Sequence, residues 1–388
     1  MGGRNLYVLA GGGSGGHLCP GLAVAGALRE ADAQGEVVFL HTERAIDETI
    51  LAGAEYRHEA QAIRPMPRPW DVRAVADFVG RWRATVRQCE GVLAQAQAAG
   101  QRVGVLGLGG YASGAMMRVA AKRGEAVVAA VAMLNPDAWP GKANRWAAGY
   151  AQRIFLQWEA ARSAFGRHGG KCVVAGCPVR PGFAAAESEV DVAAAREAMG
   201  LAPDREVLVV LGGSQGGRNV NEAMAVVAGE GKVPARWQVW HQAGRGDRER
   251  VEEAYKQAAV AAKVVEFEPR MEVVLRGASL VVARAGASSL AELTAVGVGA
   301  ILLPYPYHRD GHQRKNAQVL ERAGAAVVVT DTCEARPTAA RLGEVLARCA
   351  GEEKRKTMAT AARRLGRADA ATQVARELMD MTICQGRR

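Results

Sequence analysis

Aromatic side chains are scarce: Phe, Trp and Tyr make up 5% of the 388 residues. The formal charge of +10 would attract an anion, which could be nucleic acid, an acidic membrane face or a phosphorylated substrate. With no aromatic RNA-binding signature and no zinc-finger spacing, nucleic acid is the weakest of these, and none is expected as a partner. Long apolar runs are also missing; AVVAAVAML at 126–134 falls well short of a membrane span. The opening MGGRNLYVLA lacks the long apolar segment of a signal peptide and enters a strand almost at once. The seven cysteines are scattered and contain no C-x-x-C pair, which argues for reduced thiols in the cytosol without a structural zinc.

Glycine, by contrast, is abundant at 46 residues, and it clusters after apolar runs. NLYVLA, EVVFL, RVGVLGL, AVVAAVAML, RIFLQ and KCVVAG are expected as strands in the first half. EVLVVLGG, WQVWHQ, KVVEF, SLVVAR, GAILLPYP and AAVVVT are expected in the second. Strands this apolar suit parallel sheets covered by helices on both faces, so the fold class is α/β with two doubly wound domains. Prolines and then polar residues at 176–191 mark the junction. A basic, Ala-rich helix over about 354–381 is expected to close the chain against either domain.

YVLAGGGSGGH and VVLGGSQGGR each read strand, glycine loop, helix, and GLGGYASGAMM at 107–117 is a third such loop. Such a loop offers backbone N–H groups at a positive helix end, which suits phosphate. Residues 11–16 also satisfy G-x-G-x-x-G, but Glu43 lies too late to be a convincing ribose-binding acid. Close packing of a small-residue loop is the bland alternative. In ARAGASSLAELTAVG, Ser289 and Glu292 have capping-box spacing; Glu292 either closes its helix or accepts hydrogen bonds from ribose hydroxyls.

GGGSGGHLCPGLAVA, GLGGYASG, VAGCPVR, VVLGGSQGGRNVN, VWHQAGRGD, ARAGASSLAEL and DGHQRKNAQVLERAGAA follow the order and spacing of the MurG family, which the chain resembles over roughly residues 6–328. The resemblance implies a GT-B fold of two Rossmann-like domains facing across a cleft. It implies an acceptor- and membrane-side domain over 1–178, joined by residues from about 366 to 388, and a UDP-sugar-binding domain over 179–365. The implied reaction is inverting transfer of N-acetylglucosamine from UDP-N-acetylglucosamine to polyprenyl-diphosphate-linked lipid I, giving lipid II for peptidoglycan. No cofactor is implied. No D-x-D triplet occurs, so no metal clamp is expected.

Carried over position by position, the donor and its phosphates fall to Ser14, Gly15, Gly16, Asn135, Arg180, Ser214 and Gln215. Glu268 would face uracil with its backbone; Ala287, Ser288, Ser289, Leu290, Ala291 and Glu292 would line the nucleotide; His312 and Gln313 would lie near the sugar. The acceptor diphosphate would meet Gly109, Gly110 and Ser113. The sequence departs from the family pattern at Met133, where a carboxylate is usual, at Cys177, and at the end of GGYASGA. Rival readings are a GT-B transferase with another lipid-linked acceptor, a UDP-sugar epimerase, and a non-catalytic nucleotide-sugar binder.

His17 is the candidate general base, because imidazole titrates near neutral pH; the alternative is a phosphate contact or a helix cap. His41, His241 and His308 also follow strands and are read as structural. Over residues 64–88, Val75, Phe78, Val79, Trp82 and Val86 share a helical face flanked by arginines, with Trp70 and Met66 just before it. Alone, this stripe reads as an ordinary packing face. With the resemblance, it points to peripheral contact with anionic lipid on the cytoplasmic face of the inner membrane through Trp70, Val75, Phe78, Val79 and Trp82.

Overall fold

The computed structural model describes residues 4–13, 15–124, 127–183, 191–212, 217–307 and 310–384. The chain divides into two compact units, Met1–Arg180 with Ala368–Arg388, and Pro181–Arg367.

The first unit is built on seven parallel strands: β1 (Asn5–Gly11), β2 (Glu36–Thr42), β3 (Arg57–Gln61), β4 (Arg102–Gly109), β5 (Val128–Asn135), β6 (Arg153–Leu156) and β7 (Cys172–Val174). Their order is β3-β2-β1-β4-β5-β6-β7. Alternate residues of these strands feed two apolar layers. Val8, Val105, Val131 and Ile154 pack on one face, and Leu9, Leu106, Ala132 and Phe155 on the other. Both faces are therefore covered, as apolar parallel strands require. β3 is absent from the sequence-based reading. Its RHEAQ has no apolar alternation, because it is an edge strand with little core to face.

The second unit carries six parallel strands: β8 (Glu206–Leu211), β9 (Trp237–Gln242), β10 (Ala262–Val265), β11 (Leu280–Ala283), β12 (Ala300–Leu302) and β13 (Ala326–Val328), in the order β10-β9-β8-β11-β12-β13. In both sheets the strand order reverses beside the first strand of the unit, between β1 and β4 and between β8 and β11. Ligands of doubly wound sheets bind outside the carboxyl ends of the strands at such a switch point. The first and third glycine loops, which follow β1 and β4, sit there because the topology puts them there.

The helix expected over 354–381 is two helices, Glu352–Leu365 and Ala370–Cys384, interrupted at Gly366. A Cβ on Gly366 would run into the Thr294 carbonyl, so the close approach demands glycine and the helix stops. The second helix packs Val374, Ala375 and Leu378 into the core of the first unit.

Candidate functional site

Helix α1 (Gly15–Ala31) is separated from β1 by three residues and carries His17 in its first turn. The His17 ring is half-buried, and its Nδ1 lies 3.1 Å from the Leu108 carbonyl oxygen near the end of β4. A carbonyl only accepts, so Nδ1 carries the proton and Nε2 presents a lone pair. Among the described residues, Nε2 has no hydrogen-bond partner. Burial lowers the His17 pKa from its usual 6.5, opposed by the charge of Asp137 and by the Leu108 carbonyl. The neutral imidazole, which can accept a proton, is therefore favoured at neutral pH.

The third glycine loop lies against this ring. A Cβ on Gly109 would fall 3.1 Å from Nδ1, and one on Gly110 3.2 Å from Nε2. Both glycines have positive φ, 103° and 74°, so side chains there are excluded twice over. His17 thus joins the first and third loops within one unit.

Two buried polar side chains that the sequence did not single out hold these loops. Asp47 on α2 (Ala45–Leu51) accepts from the Gly13 N–H at 2.7 Å, the Thr42 N–H at 3.1 Å and the Thr42 hydroxyl at 2.6 Å. Asn144 accepts from the Gly110 N–H at 2.9 Å and donates to Asn135 Oδ1 at 3.0 Å. Asn135 in turn donates to the Asp137 carbonyl at 2.7 Å.

These bonds engage part of the expected acceptor site within the protein itself. The Gly110 N–H is already taken by Asn144. Ser113 is fully buried at the start of α4 (Ser113–Arg123) and donates to the Gly110 carbonyl at 3.0 Å. Both fasten the loop, and neither presents a bare donor. Asn135 is likewise buried in this network. It borders a small recess with Gly16, Pro20, Leu134 and Cys177. Met133, at the position of the usual family carboxylate, is fully buried among apolar side chains, so the departure is absorbed by packing. Cys177 is buried, and Arg180 is exposed at the end of the unit.

In the second unit, Gly286 precedes α10 (Ala287–Val296), which begins just beyond β11 and carries Ser288, Ser289, Leu290, Ala291 and Glu292. Leu290 and Ala291 are buried, whereas Ala287, Ser288, Ser289 and Glu292 are partly exposed near the switch point. Gly286 is the N-cap of this helix, so the Ser289–Glu292 capping-box alternative does not describe its start. Gln313, on α11 (His312–Arg322), uses Oε1 to accept from the Ala285 and Tyr305 N–H groups at 3.2 and 2.8 Å. His312 Nε2 pairs with Asp310 at 2.6 Å. The Glu268 N–H donates to Gln242 Oε1 at 3.2 Å, so the side chain of Gln242, another unforeseen residue, orders the segment expected to face uracil. Ser14, Ser214, Gln215 and His308 lie outside the described residues.

His41 and His241 are buried. His241 is bonded through both ring nitrogens, to the Tyr255 hydroxyl at 2.9 Å and Asn221 Oδ1 at 3.0 Å. Burial pushes its pKa down to about 3.

The apolar stripe lies on α3 (Val72–Ala98), capped by Asp71, which accepts from the Ala74 N–H at 3.0 Å. Trp82 and Val86 pack against the core, and Trp82 meets Trp146 edge-on at 6.0 Å. The expected lipid-facing set is therefore split. Trp82 is mainly a packing residue, Val75 and Phe78 are half-buried, and Val79 is exposed. Trp70 is 75% exposed, beside exposed Met66 and Val72. Among the described residues, no helix is long and apolar enough to cross a membrane.

Residues 7–156 match the glycosyltransferase family 28 N-terminal domain, and residues 207–374 its C-terminal domain. The chain is 34% identical over 387 residues to a UDP-N-acetylglucosamine--N-acetylmuramyl-(pentapeptide) pyrophosphoryl-undecaprenol N-acetylglucosamine transferase of Geobacter sulfurreducens, with 97% of this chain and 98% of the relative covered. A crystal structure of MurG from Acinetobacter baumannii superposes with a TM-score of 0.75 at 20% identity, covering 97% of this chain and 99% of that one. A UDP-glucosyltransferase from Polygonum tinctorium superposes with a TM-score of 0.66 at 13% identity, covering 98% of each chain. These two likenesses show the GT-B fold. With both units matched and more than 30% identity over nearly the whole length, the chain belongs to the MurG family of glycosyltransferase family 28.

Proposed function

We propose that this protein moves N-acetylglucosamine from UDP-N-acetylglucosamine to the muramoyl sugar of undecaprenyl-diphosphate-linked lipid I, giving lipid II. The observation that carries this reading is the identity with transferases of that name across both units. The geometry supplies a chemistry to match. An acceptor hydroxyl attacking an anomeric carbon must lose its proton, and His17 offers a neutral imidazole with Nε2 unengaged among the described residues. In this reading the first unit receives the acceptor diphosphate around Gly109. The second receives the donor through α10, with Glu292 on the ribose and the Nε2 amide of Gln313 on the sugar. Arg180 and the amides at the start of α1 stabilise the leaving diphosphate electrostatically, so that a single displacement inverts the anomeric centre.

The acceptor is membrane-bound, and the first unit has the means to meet it. Exposed Met66, Trp70 and Val72, next to Arg68 and Arg73, suit insertion at an anionic lipid interface. Each basic residue near such a surface adds about 1 kcal/mol. The Arg68 guanidinium lies 5.8 Å from the Trp70 ring.

The test is transfer of labelled N-acetylglucosamine to a lipid I analogue, with flotation on anionic vesicles alongside. Formation of labelled lipid II is expected. UDP-N-acetylglucosamine binding without transfer would replace the reading by a non-catalytic binder, and transfer to a different lipid-linked sugar would move the acceptor.

A further inference from the structure

The parallel pairing of β2 with β3 sets Phe39 opposite His58 and His41 opposite Ala60. His41 and His58 are thus diagonal neighbours across the pair. Their rings approach to 5.2 Å between centroids, and His41 Nε2 lies 3.2 Å from His58 Nδ1. Helix α2 brings a third group: Glu48 Oε1 is 3.8 Å from His41 Nε2. One ligand atom from each of the three residues lies within 4.8 Å of the other two.

We propose that His41, His58 and Glu48 form a binding site for a divalent transition-metal ion of the zinc class. This departs from the expectation that the chain holds no metal, and it is independent of the transferase reading. Three features carry it.

The first is the tautomer of His41. Its Nδ1 lies 2.8 Å from the Thr42 carbonyl, which only accepts, so Nδ1 keeps the proton and Nε2 offers a lone pair toward the other two groups. A ligating imidazole whose other nitrogen donates to a carbonyl is the usual supporting arrangement of metal-binding histidines. The second is spacing. Two zinc–nitrogen bonds of about 2.0–2.1 Å at a tetrahedral angle place their nitrogens roughly 3.3 Å apart. The observed 3.2 Å separation is close to this, and a turn of the half-buried His58 ring brings both lone pairs onto one ion. The third is access. His41 is fully buried, His58 partly exposed, and the Glu48 side chain 52% exposed, so an ion enters from solvent and the exposed Glu48 side chain swings in to meet it. On binding, His58 shifts its proton from Nδ1 to Nε2, and water takes the fourth position.

Two imidazoles and a carboxylate suit zinc, cobalt or nickel better than magnesium or calcium, which prefer all-oxygen shells. The ion would tie the ends of β2 and β3 to α2. The residue before Glu48 is Asp47, the carboxylate that holds Gly13. A metal at this position would therefore stiffen the mount of the first glycine loop.

The experiment uses the full chain, without a histidine tag and stripped of metal, titrated with cobalt(II) by absorption and with zinc(II) by calorimetry. Exposed Cys19, Cys333 and Cys384 could also take these ions, so a variant with all three changed to serine is titrated in parallel. One ion per chain is expected in both proteins. Affinity should fall at least tenfold in His58→Ala and in Glu48→Ala, both of which lie outside the buried core. Zinc should raise the melting temperature of the parent and not of His58→Ala. Absence of binding by the parent, loss of binding in the serine variant, or unchanged affinity in His58→Ala would each overturn the proposal.

Discussion

The two units are built on one plan, yet a histidine of one and a histidine of the other are bonded in opposite ways. His17 has one nitrogen tied to a carbonyl and the other unengaged among the described residues. His241 has both nitrogens bonded inside the core. The loops differ in the same sense. In the first unit an ionisable carboxylate, Asp47, grips Gly13, and the network through Asn144 and Asn135 seats Gly110 beside the His17 ring. In the second, neutral amides do the holding: Gln313 takes the Ala285 and Tyr305 N–H groups, Gln242 takes that of Glu268, and Asn221 binds the Ala243 carbonyl. With one nitrogen unengaged among the described residues, His17 suits the base proposed above, whereas His241, bonded at both, is structural. The loops around His17 are fixed from behind.

The largest test of this contrast is on turnover. His17→Ala should lower kcat by roughly 10²–10⁴ while leaving the donor KM within a few-fold, as loss of a general base does. His241→Gln should leave kcat within a few-fold and lower the melting temperature instead. Equal kinetic losses in the two variants would erase the distinction.

Asp47→Ala comes next. It strands a buried N–H at Thr42 and removes the anchor of Gly13. Hydrogen bonds to a charged group contribute about 1.5–3 kcal/mol each, so a stability loss of about 3 kcal/mol in urea unfolding is expected. A loss under about 1 kcal/mol would mean that the loop is held by other means.

His241 predicts a pH dependence with a definite sign. Its folded pKa, about 3, lies below the ordinary 6.5, so the unfolded chain binds the proton first as pH falls. Its contribution is fully present above pH 6.5 and is lost toward pH 3, by roughly 3 kcal/mol at pH 4. His241→Gln should flatten that part of the stability curve; an unchanged slope would contradict the assignment.

Gly110→Ala is a smaller perturbation of the same site. A methyl group at positive φ beside His17 Nε2 should lower kcat about tenfold through displacement of the ring. The smallest effect belongs to Trp70, where replacement by alanine should weaken vesicle binding several-fold without changing the stability of the chain. No change in flotation would detach this loop from the membrane reading.

Much of this was legible in the sequence, and the gaps have physical causes. The apolar runs announced twelve strands because buried parallel strands are apolar on both faces. They did not announce β3, whose Arg57, His58 and Glu59 sit at a sheet edge, and with it went any sign that His41 and His58 meet. His17 was visible because it directly follows its glycines. Asp47 and Asn144 were not, since each acts on a backbone N–H 34 residues earlier, a proximity made by strand order and not by spacing. Asp47 looks in sequence like an ordinary acid in a first helical turn. The periodicity of α3 showed the apolar face correctly but could not divide it. Trp82 and Val86 belong to the core because α4 and the helix bearing Trp146, Lys142–Ala147, lie beneath the same stripe.

The most direct test of His17 as the base is the pH profile of kcat/KM for the wild-type enzyme with a lipid I analogue. Activity requires the neutral imidazole, so the rate should fall as pH drops through the His17 pKa, which burial sets below 6.5. An acid limb below pH 6.5, absent from the residual activity of His17→Ala, is the expected result. A limb above 6.5, or one that survives in His17→Ala, would contradict it.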